Sequence, residues 1–319
     1  MRATHTIETP SNTVGAVSIL RIVGEDLTEV FQTLQMKPIT VGQIRLAPVV
    51  GLDDALVARF DQGSLFIMPH GGIGITRAIS KKLDSLGIQY ENPENPLVRY
   101  PEAEDIHEAR LLAVLSVAPS PMAVDVLLDQ PSRWRSATDS DPLADASVLN
   151  RLIVPPVVVA VGRANIGKSS LVNALAGVSV AMVSDQAGTT RDHVGVMLDL
   201  AGLAVRWVDT PGIDERVEVG EELDLVEPVI RAADLIVFAI DHDDPAGELD
   251  PRLQRLLNSS TQLLRVGVRS DLGLCGADVD IRCSSRSGEG VEGLAWALNQ
   301  ALIPPETLTG PHRWRYWDS

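Results

Sequence analysis

Cysteine is almost absent: the 319 residues carry two, Cys275 and Cys283, and they form no CxxC pair. That argues against a zinc site or a disulfide framework and fits a reducing, cytosolic compartment. Long hydrophobic runs are missing as well. The most apolar stretch, around Leu152 to Gly162, is broken by Pro155 and Pro156 and falls far short of the ~20 residues that span a bilayer. The opening MRATHTIETPSNT has no apolar core of signal-peptide length, so no secretory signal is expected. Positive charge is scarce too, with 27 Lys and Arg against 43 Asp and Glu, a net charge of −16. A chain of that sign repels phosphates at long range, which counts against nucleic-acid binding over its whole surface but not against a local basic patch.

What remains is an ordinary globular composition, 45% hydrophobic and 22% charged, on a length that suggests two domains at roughly 150 residues each. Residues 14–23 (VGAVSILRIV), 51–60 (GLDDALVARF) and 63–72 (GSLFIMPHGG) read as strands. Residues 25–34 and 75–88 have helical spacing, the second closed by Gly87. Together they predict a small α+β domain over residues 1–95. A Pro-punctuated stretch comes next, then helical patterns at 108–118 and 122–130, and a Pro-, Ser- and Asp-rich linker over 131–147. From Val157 apolar β-rich runs alternate with helices. The expectation is an α/β domain over 151–303, a mostly parallel sheet with helices on both faces, and a tail at 304–319.

The chemistry is concentrated in VVVAVGRANIGKSSLVNAL (157–175), where Gly162, Gly167, Lys168 and Ser169 stand at the spacing GxxxxGK[ST]. Chance gives such a match in roughly one chain per hundred of this length; the apolar strand before it and the helix after it make chance a poor explanation. Glycines let backbone N–H groups face a β-phosphate, and the helix N-terminus adds a favourable dipole. Lys168 would bridge the β- and γ-phosphates and the Ser169 hydroxyl would hold Mg²⁺. The candidate loop ligands are Gly162, Asn165, Ile166, Gly167, Lys168, Ser169 and Ser170.

Forty residues beyond Ser169 a second apolar run ends in Asp209-Thr210-Pro211-Gly212. Asp209 suits the Mg²⁺ shell, and the Gly212 N–H suits a γ-phosphate contact. Between the motifs, GTTRD (188–192) offers Thr190 as a further hydroxyl for Mg²⁺. Strands at 194–200 and 203–209 read as a hairpin. Leu235–Asp241 and Leu263–Val268 read as further strands, the latter leading to Asp271, where a GTPase carries NKxD. Cys283-Ser284-Ser285-Arg286 falls in the place of a SAK-type loop.

These residues resemble the translation-factor-like GTPases that include Era and Der, and within them the tRNA-modification GTPase family TrmE (MnmE). The loop GRANIGKSSLVNAL and GTTRD carry the resemblance in the second half; AVSILRIVG, LDDALVARF and His70-Gly71-Gly72 carry it in the first. About 250 residues are covered. The resemblance implies a Mg²⁺-dependent GTPase, assisted by a K⁺ ion on Asn165, with Glu221 as the nearest match to the family's catalytic carboxylate. It also implies a homodimer through the N-terminal domain and a role in modifying the wobble uridine of tRNA with a flavin-dependent partner. A tetrahydrofolate derivative would fall on Arg21 and His70. A structural arginine and a turn histidine explain those two residues equally well, because the family's TGED-type segment before HGG is missing.

Other departures matter. Val268-Arg269-Ser270-Asp271 stands for NKxD. Asp271 can still accept from the guanine N1–H and exocyclic amino group, and Arg269 can stack its guanidinium plane on the base. Val268 cannot make the amide contacts of Asn, so guanine preference is expected with binding weaker by ~1–2 kcal/mol. Ile213 replaces a water-orienting Gln. Only residues 103–130 resemble the start of the family's helical domain, and the tail HRWRYWDS has no cysteine motif. Acidic runs at 214–227 and 241–250, the second containing Asp241, Asp243 and Asp244, read as solvated faces or as a docking surface. The aromatic tail reads as packing onto the domain. Two other functions compete with the switch GTPase: a nucleotide-gated regulatory binding module with weak or no hydrolysis, and a ribosome-assembly GTPase of the Era/Der type.

Overall fold

The computed structural model describes residues 3–9, 15–91, 95–100, 102–138, 140–178, 195–210, 221–244, 247–257, 261–273 and 275–318. The chain divides into two units, Met1–Pro101 and Glu102–Ser319.

The first unit runs β1 (Ala3–Ile7), β2 (Leu20–Gly24), α1 (Leu27–Thr33), β3 (Gln43–Val49), β4 (Asp53–Arg59), β5 (Ser64–Met68), α2 (Ile73–Ser85), β6 (Gln89–Tyr90) and α3 (Pro96–Arg99). Its sheet has the order β3-β4-β5-β2-β1-β6 and is antiparallel except for β1 with β6. Alternate residues Leu20 and Ile22 of β2 join Val30 and Phe31 of α1 and Ile79 and Leu83 of α2 in one apolar core. The Asp26 carboxylate caps α1 by accepting from the Thr28 N–H at 2.8 Å. Helix α2 buries one stripe and stops where Gly87 turns to φ +85°. The strand expected at 14–23 is shorter, with Val17 making an isolated bridge to His70.

In the second unit α4 (Ile106–Leu115), α5 (Met122–Leu128), α6 (Gln130–Ser136) and α7 (Ala146–Leu149) precede β7 (Val157–Val161). Then come α8 (Lys168–Val178), β8 (Val196–Leu200), β9 (Leu203–Asp209), α9 (Glu221–Arg231), β10 (Leu235–Ile240) and α10 (Pro251–Leu256). After them stand β11 (Gln262–Gly267), β12 (Ile281–Arg282), α11 (Val291–Leu302) and α12 (Pro305–Thr309), and a 3₁₀ turn over Tyr316–Asp318 closes the described elements. The sheet order is β12-β11-β10-β7-β9-β8, parallel throughout except for the β8–β9 hairpin. Every residue of β7 and β10 is buried. Val158 and Ala160 of β7 face one core with α8 and α11, and Val157, Val159 and Val161 face another with α9 and α10. Two covered faces explain why these strands are continuously apolar.

Residues 131–147 differ from the linker expected there. Most of α6 lies in this stretch, and it is tied to the C-terminal residues. Trp314 and Tyr316 are fully buried. The Trp134 Nε1–H donates to the Trp314 carbonyl at 3.1 Å, and the Trp314 indole donates to Asn150 Oδ1 at 2.9 Å. The Trp314 N–H reaches Gln130 Oε1 at 2.8 Å, and the Tyr316 hydroxyl reaches the His107 carbonyl at 2.9 Å. Arg313 lies 4.6 Å from the Trp134 ring centre. The aromatic tail thus packs into the second unit, as its residue types suggest.

Candidate functional site

The chain leaves β7 at Val161 and turns through residues 162–167 into α8. Gly162 has φ +150°, and a Cβ there would sit 2.6 Å from the Ala239 carbonyl oxygen of β10, so the loop passes too close to the sheet for any side chain. Gly167 has φ +100° and Asn165 φ +62°, the latter a conformation Asn adopts more readily than most residues. Ile166 is buried in the core and pins the middle of the loop, while Asn165, Ser169 and Ser170 are exposed.

Lys168, the first residue of α8, is 6% exposed. Its Nζ donates to the carbonyls of Gly162 at 3.1 Å and Arg163 at 2.9 Å. Burial pulls its pKa below the usual lysine value, and the charge of Asp209 opposes that pull. Asp209 closes β9 beside Ala160 of β7, and its Oδ2 accepts from the Ser169 hydroxyl at 2.5 Å. The buried Thr210 hydroxyl donates to the Ala160 carbonyl at 2.7 Å, tying the end of β9 to the strand that carries the loop. Nothing in the local sequence pattern points to this role for Thr210. Lys168, Ser169, Ser170, Asn165, Gly167 and Asp209 line one cavity of about 620 Å³, within the range of ligand pockets.

Past the end of β11 the departures from NKxD have a structural meaning. Val268 is 4% exposed and belongs to the apolar core, and its N–H bonds the Ile240 carbonyl at 2.9 Å. Arg269 has φ +57°, and its Nε donates to Asp241 Oδ1 at 2.9 Å while Nη2 contacts Asp241 Oδ2. Asp241 is 4% exposed and also accepts from the His242 N–H at 2.8 Å. The solvated acidic run expected over 241–250 therefore does not begin at Asp241, which is a buried carboxylate paired with Arg269. Asp271 is exposed, and its Oδ1 accepts from the fully buried Ser284 hydroxyl at 2.6 Å. That bond holds the Asp271 carboxyl below the usual range. The Ser284 oxygen also accepts from the N–H groups of Arg286 at 3.3 Å and Ser287 at 3.2 Å. Ser285 is half-buried and Arg286 exposed beside it. Burial pushes the neighbouring Cys283 thiol up to about 11, so it is an inert core group.

Thr190 and Gly212 lie outside the described residues. Glu221 opens α9, and its side chain also lies outside them. Arg21 and His70 have different anchors in the first unit. Arg21 is buried, donates to the Arg99 carbonyl at 3.0 Å and stands 6.0 Å from the Phe66 ring centre. His70 is exposed, and its Nδ1 lies 2.9 Å from Asp53 Oδ1.

A parallel sheet whose first strand feeds a glycine loop, a buried lysine and a Ser–Asp oxygen pair at a helix head defines a P-loop GTPase. A family model described as a 50S ribosome-binding GTPase matches residues 157–267. The tRNA modification GTPase MnmE of Acidiphilium cryptum is 30% identical over 369 aligned positions, covering 93% of this chain and 81% of that protein. The tRNA modification GTPase MnmE of Cereibacter sphaeroides is 37% identical over 148 residues, which are 46% of this chain and 32% of that one. Among solved structures, the FeoB G-domain of Methanococcus jannaschii overlaps 46% of this chain and 98% of its own at 22% identity and a TM-score of 0.35. The chain belongs to the MnmE family of GTPases. Because 369 positions exceed the 319 residues here, the first alignment spans stretches of the relative with no counterpart in this chain.

Proposed function

We propose that this GTPase works as a Mg²⁺- and K⁺-dependent switch whose cycle serves modification of the wobble uridine of tRNA in the cytoplasm. The observation that carries the nucleotide reading is the convergence of Lys168 and the Ser169–Asp209 pair on one cavity at the head of α8. An ammonium and two hard oxygens there suit a polyphosphate with its metal. In this reading Gly162 through Ser170 wrap the phosphates, and Lys168 bridges the β- and γ-groups. Ser169, Asp209 and Thr190 hold Mg²⁺, which supplies charge neutralisation at the transferring phosphoryl oxygens. Gly212 meets the γ-phosphate, Glu221 is the catalytic carboxylate, and the exposed Asn165 on the cavity wall is the K⁺ ligand. Arg269, Asp271, Ser284, Ser285 and Arg286 frame the base.

The test is GTP turnover in K⁺ against Na⁺, with and without chelation of Mg²⁺, for the wild type and Asn165→Ala. Turnover that needs Mg²⁺ and K⁺ and loses its K⁺ stimulation in the variant is expected. Absent or K⁺-indifferent turnover favours a nucleotide-gated binding module for a protein partner, the reading that the apolar Val268 supports.

For the first unit the reading is a homodimer. Strand β3 is a sheet edge, and Ile44, Leu46 and Leu56 make an exposed apolar face on β3 and β4. Concentration-dependent sedimentation of the wild type and Leu46→Glu tests it. The flavin-dependent partner rests on family membership alone. A tetrahydrofolate derivative has less support, because Arg21 and His70 are anchored separately. Direct tRNA contact also has little support from a chain of net charge −16.

A further inference from the structure

We infer that Asp241 is a positioning residue for the nucleotide base: it fixes the guanidinium plane of Arg269 as the platform on which a purine stacks. The inference rests on the guanine-nucleotide reading above and deepens it.

Four residues, 268–271, form the base loop, and their anchors differ in kind. Val268 is sunk in the apolar core and offers no polar side-chain tie. Asp271 is held from outside by Ser284. Between them Arg269 adopts a left-handed backbone, φ +57°, which non-glycine residues keep only where surrounding contacts over-determine it. The contact in place is Asp241, a 4%-exposed carboxylate at the end of the central strand β10, engaged by both Nε and Nη2 of Arg269. A two-point pair fixes the plane of a guanidinium, which a single-point ammonium contact cannot do. The Arg269 side chain keeps 35% of its surface exposed while Asp241 is closed off. A pair through Nε and Nη2 meets the guanidinium along its edge, so the carboxylate does not occupy a face of the plane and a face is left for a π-system.

The two carboxylates then have separable functions. Asp271 reads the edge of the base and sets which purine is preferred. Asp241, through Arg269, supports the face of the base and serves any purine alike. Neither contributes to holding the diphosphate.

The experiment measures dissociation constants of GDP, IDP and inorganic pyrophosphate on the full chain by calorimetry, for the wild type, Asp241→Asn, Arg269→Ala, Arg269→Lys and the Asp241→Asn/Arg269→Ala double variant. Asp241→Asn is expected to weaken GDP and IDP by the same factor, on the order of tenfold, and to leave pyrophosphate within about twofold. Arg269→Ala and Arg269→Lys should show the same pattern, the lysine keeping charge but not the fixed plane. In the Arg269→Ala background, Asp241→Asn should add nothing, because it acts through that residue. Unchanged GDP binding in Asp241→Asn, equal weakening of pyrophosphate, or additive losses in the double variant would each overturn the inference. Should Asp241→Asn fail to fold, Arg269→Lys decides: wild-type GDP affinity there overturns the fixed-plane role. A wild type that binds pyrophosphate but shows no gain for GDP overturns the guanine reading and this inference with it.

Discussion

The loops proposed to hold the phosphates and the base are built under different constraints. At the phosphate end each residue stands where the motif requires: glycine against Ala239, lysine over the loop carbonyls, serine on Asp209. At the proposed base end the motif is altered at two of its three defining positions, yet the loop is still held in place, by Asp241 and Ser284. The difference lies in what is recognised. A polyphosphate concentrates charge at fixed spacings and leaves little freedom in where its donors sit. A base offers a face and an edge, and several arrangements of side chains can meet either one.

The largest effect should come from the phosphate end. Lys168→Ala is expected to weaken GTP by about 100-fold or more and to abolish turnover, because it removes a charge-assisted contact to a polyanion from a desolvated position. Equilibrium binding and single-turnover hydrolysis check it. At the base end, Asp271→Asn should lower GDP affinity by roughly tenfold to 100-fold, as it loses a two-bond contact, and should relax discrimination between guanine and other purines. A loss at Asp271 as severe as at Lys168, with pyrophosphate affected too, would break the contrast.

Restoring the motif is a sharper trial. Val268→Asn puts an amide into the apolar core, so chemical denaturation should show a loss of about 1–3 kcal/mol, with no gain in GDP affinity. Tighter GDP binding at unchanged stability would mean that the amide position of the motif is still open. The smallest effect is expected for Ser284→Ala, a few-fold weakening of GDP from the loss of one hydrogen bond to an exposed carboxylate. Its signature is in pH. The Ser284 hydroxyl depresses the Asp271 pKa. If Asp271 reads guanine as proposed, binding should be fully present above the ordinary carboxylate value of 3.8 and be lost only as pH falls through the lower, site value. Without the hydroxyl that acid limb should move up toward 3.8 in a GDP titration across pH.

Much of this is legible in the sequence because local spacing encodes it. The loop of 162–169, the β8–β9 hairpin ending at Asp209 and the continuously buried strands β7 and β10 are all short-range patterns. The illegible features depend on partners far apart in the chain. In sequence Asp241 is one acid among Asp243, Asp244 and Glu248; only Arg269, 28 residues away, distinguishes it. Thr210 is motif filler until its hydroxyl meets Ala160. Strand β1 escapes a pattern reading because Thr4, His5 and Thr6 are polar. Its histidine is nonetheless buried between Ile88 and Ser80, and burial lowers its pKa. Strand β3 escapes it because its apolar residues alternate onto an exposed face and Pro48 interrupts the run. Residues 131–147 have loop composition, yet Trp134 fastens α6 to a segment 180 residues later.

That last fastening bears on how the polypeptide is made. Tyr316 bonds His107 across 209 residues, and Trp314 bonds Gln130 across 184. Residues 1–101 hold their own core partners and can fold while the ribosome is still translating the rest of the chain. The four helices α4 to α7 emerge next, and they must wait through the synthesis of the entire nucleotide domain before the residues that cover them exist. Closing loops of that length comes late in folding. The second unit therefore reaches its final form after residue 316 leaves the exit tunnel. Premature release of the nascent chain would leave those helices with an uncovered apolar surface.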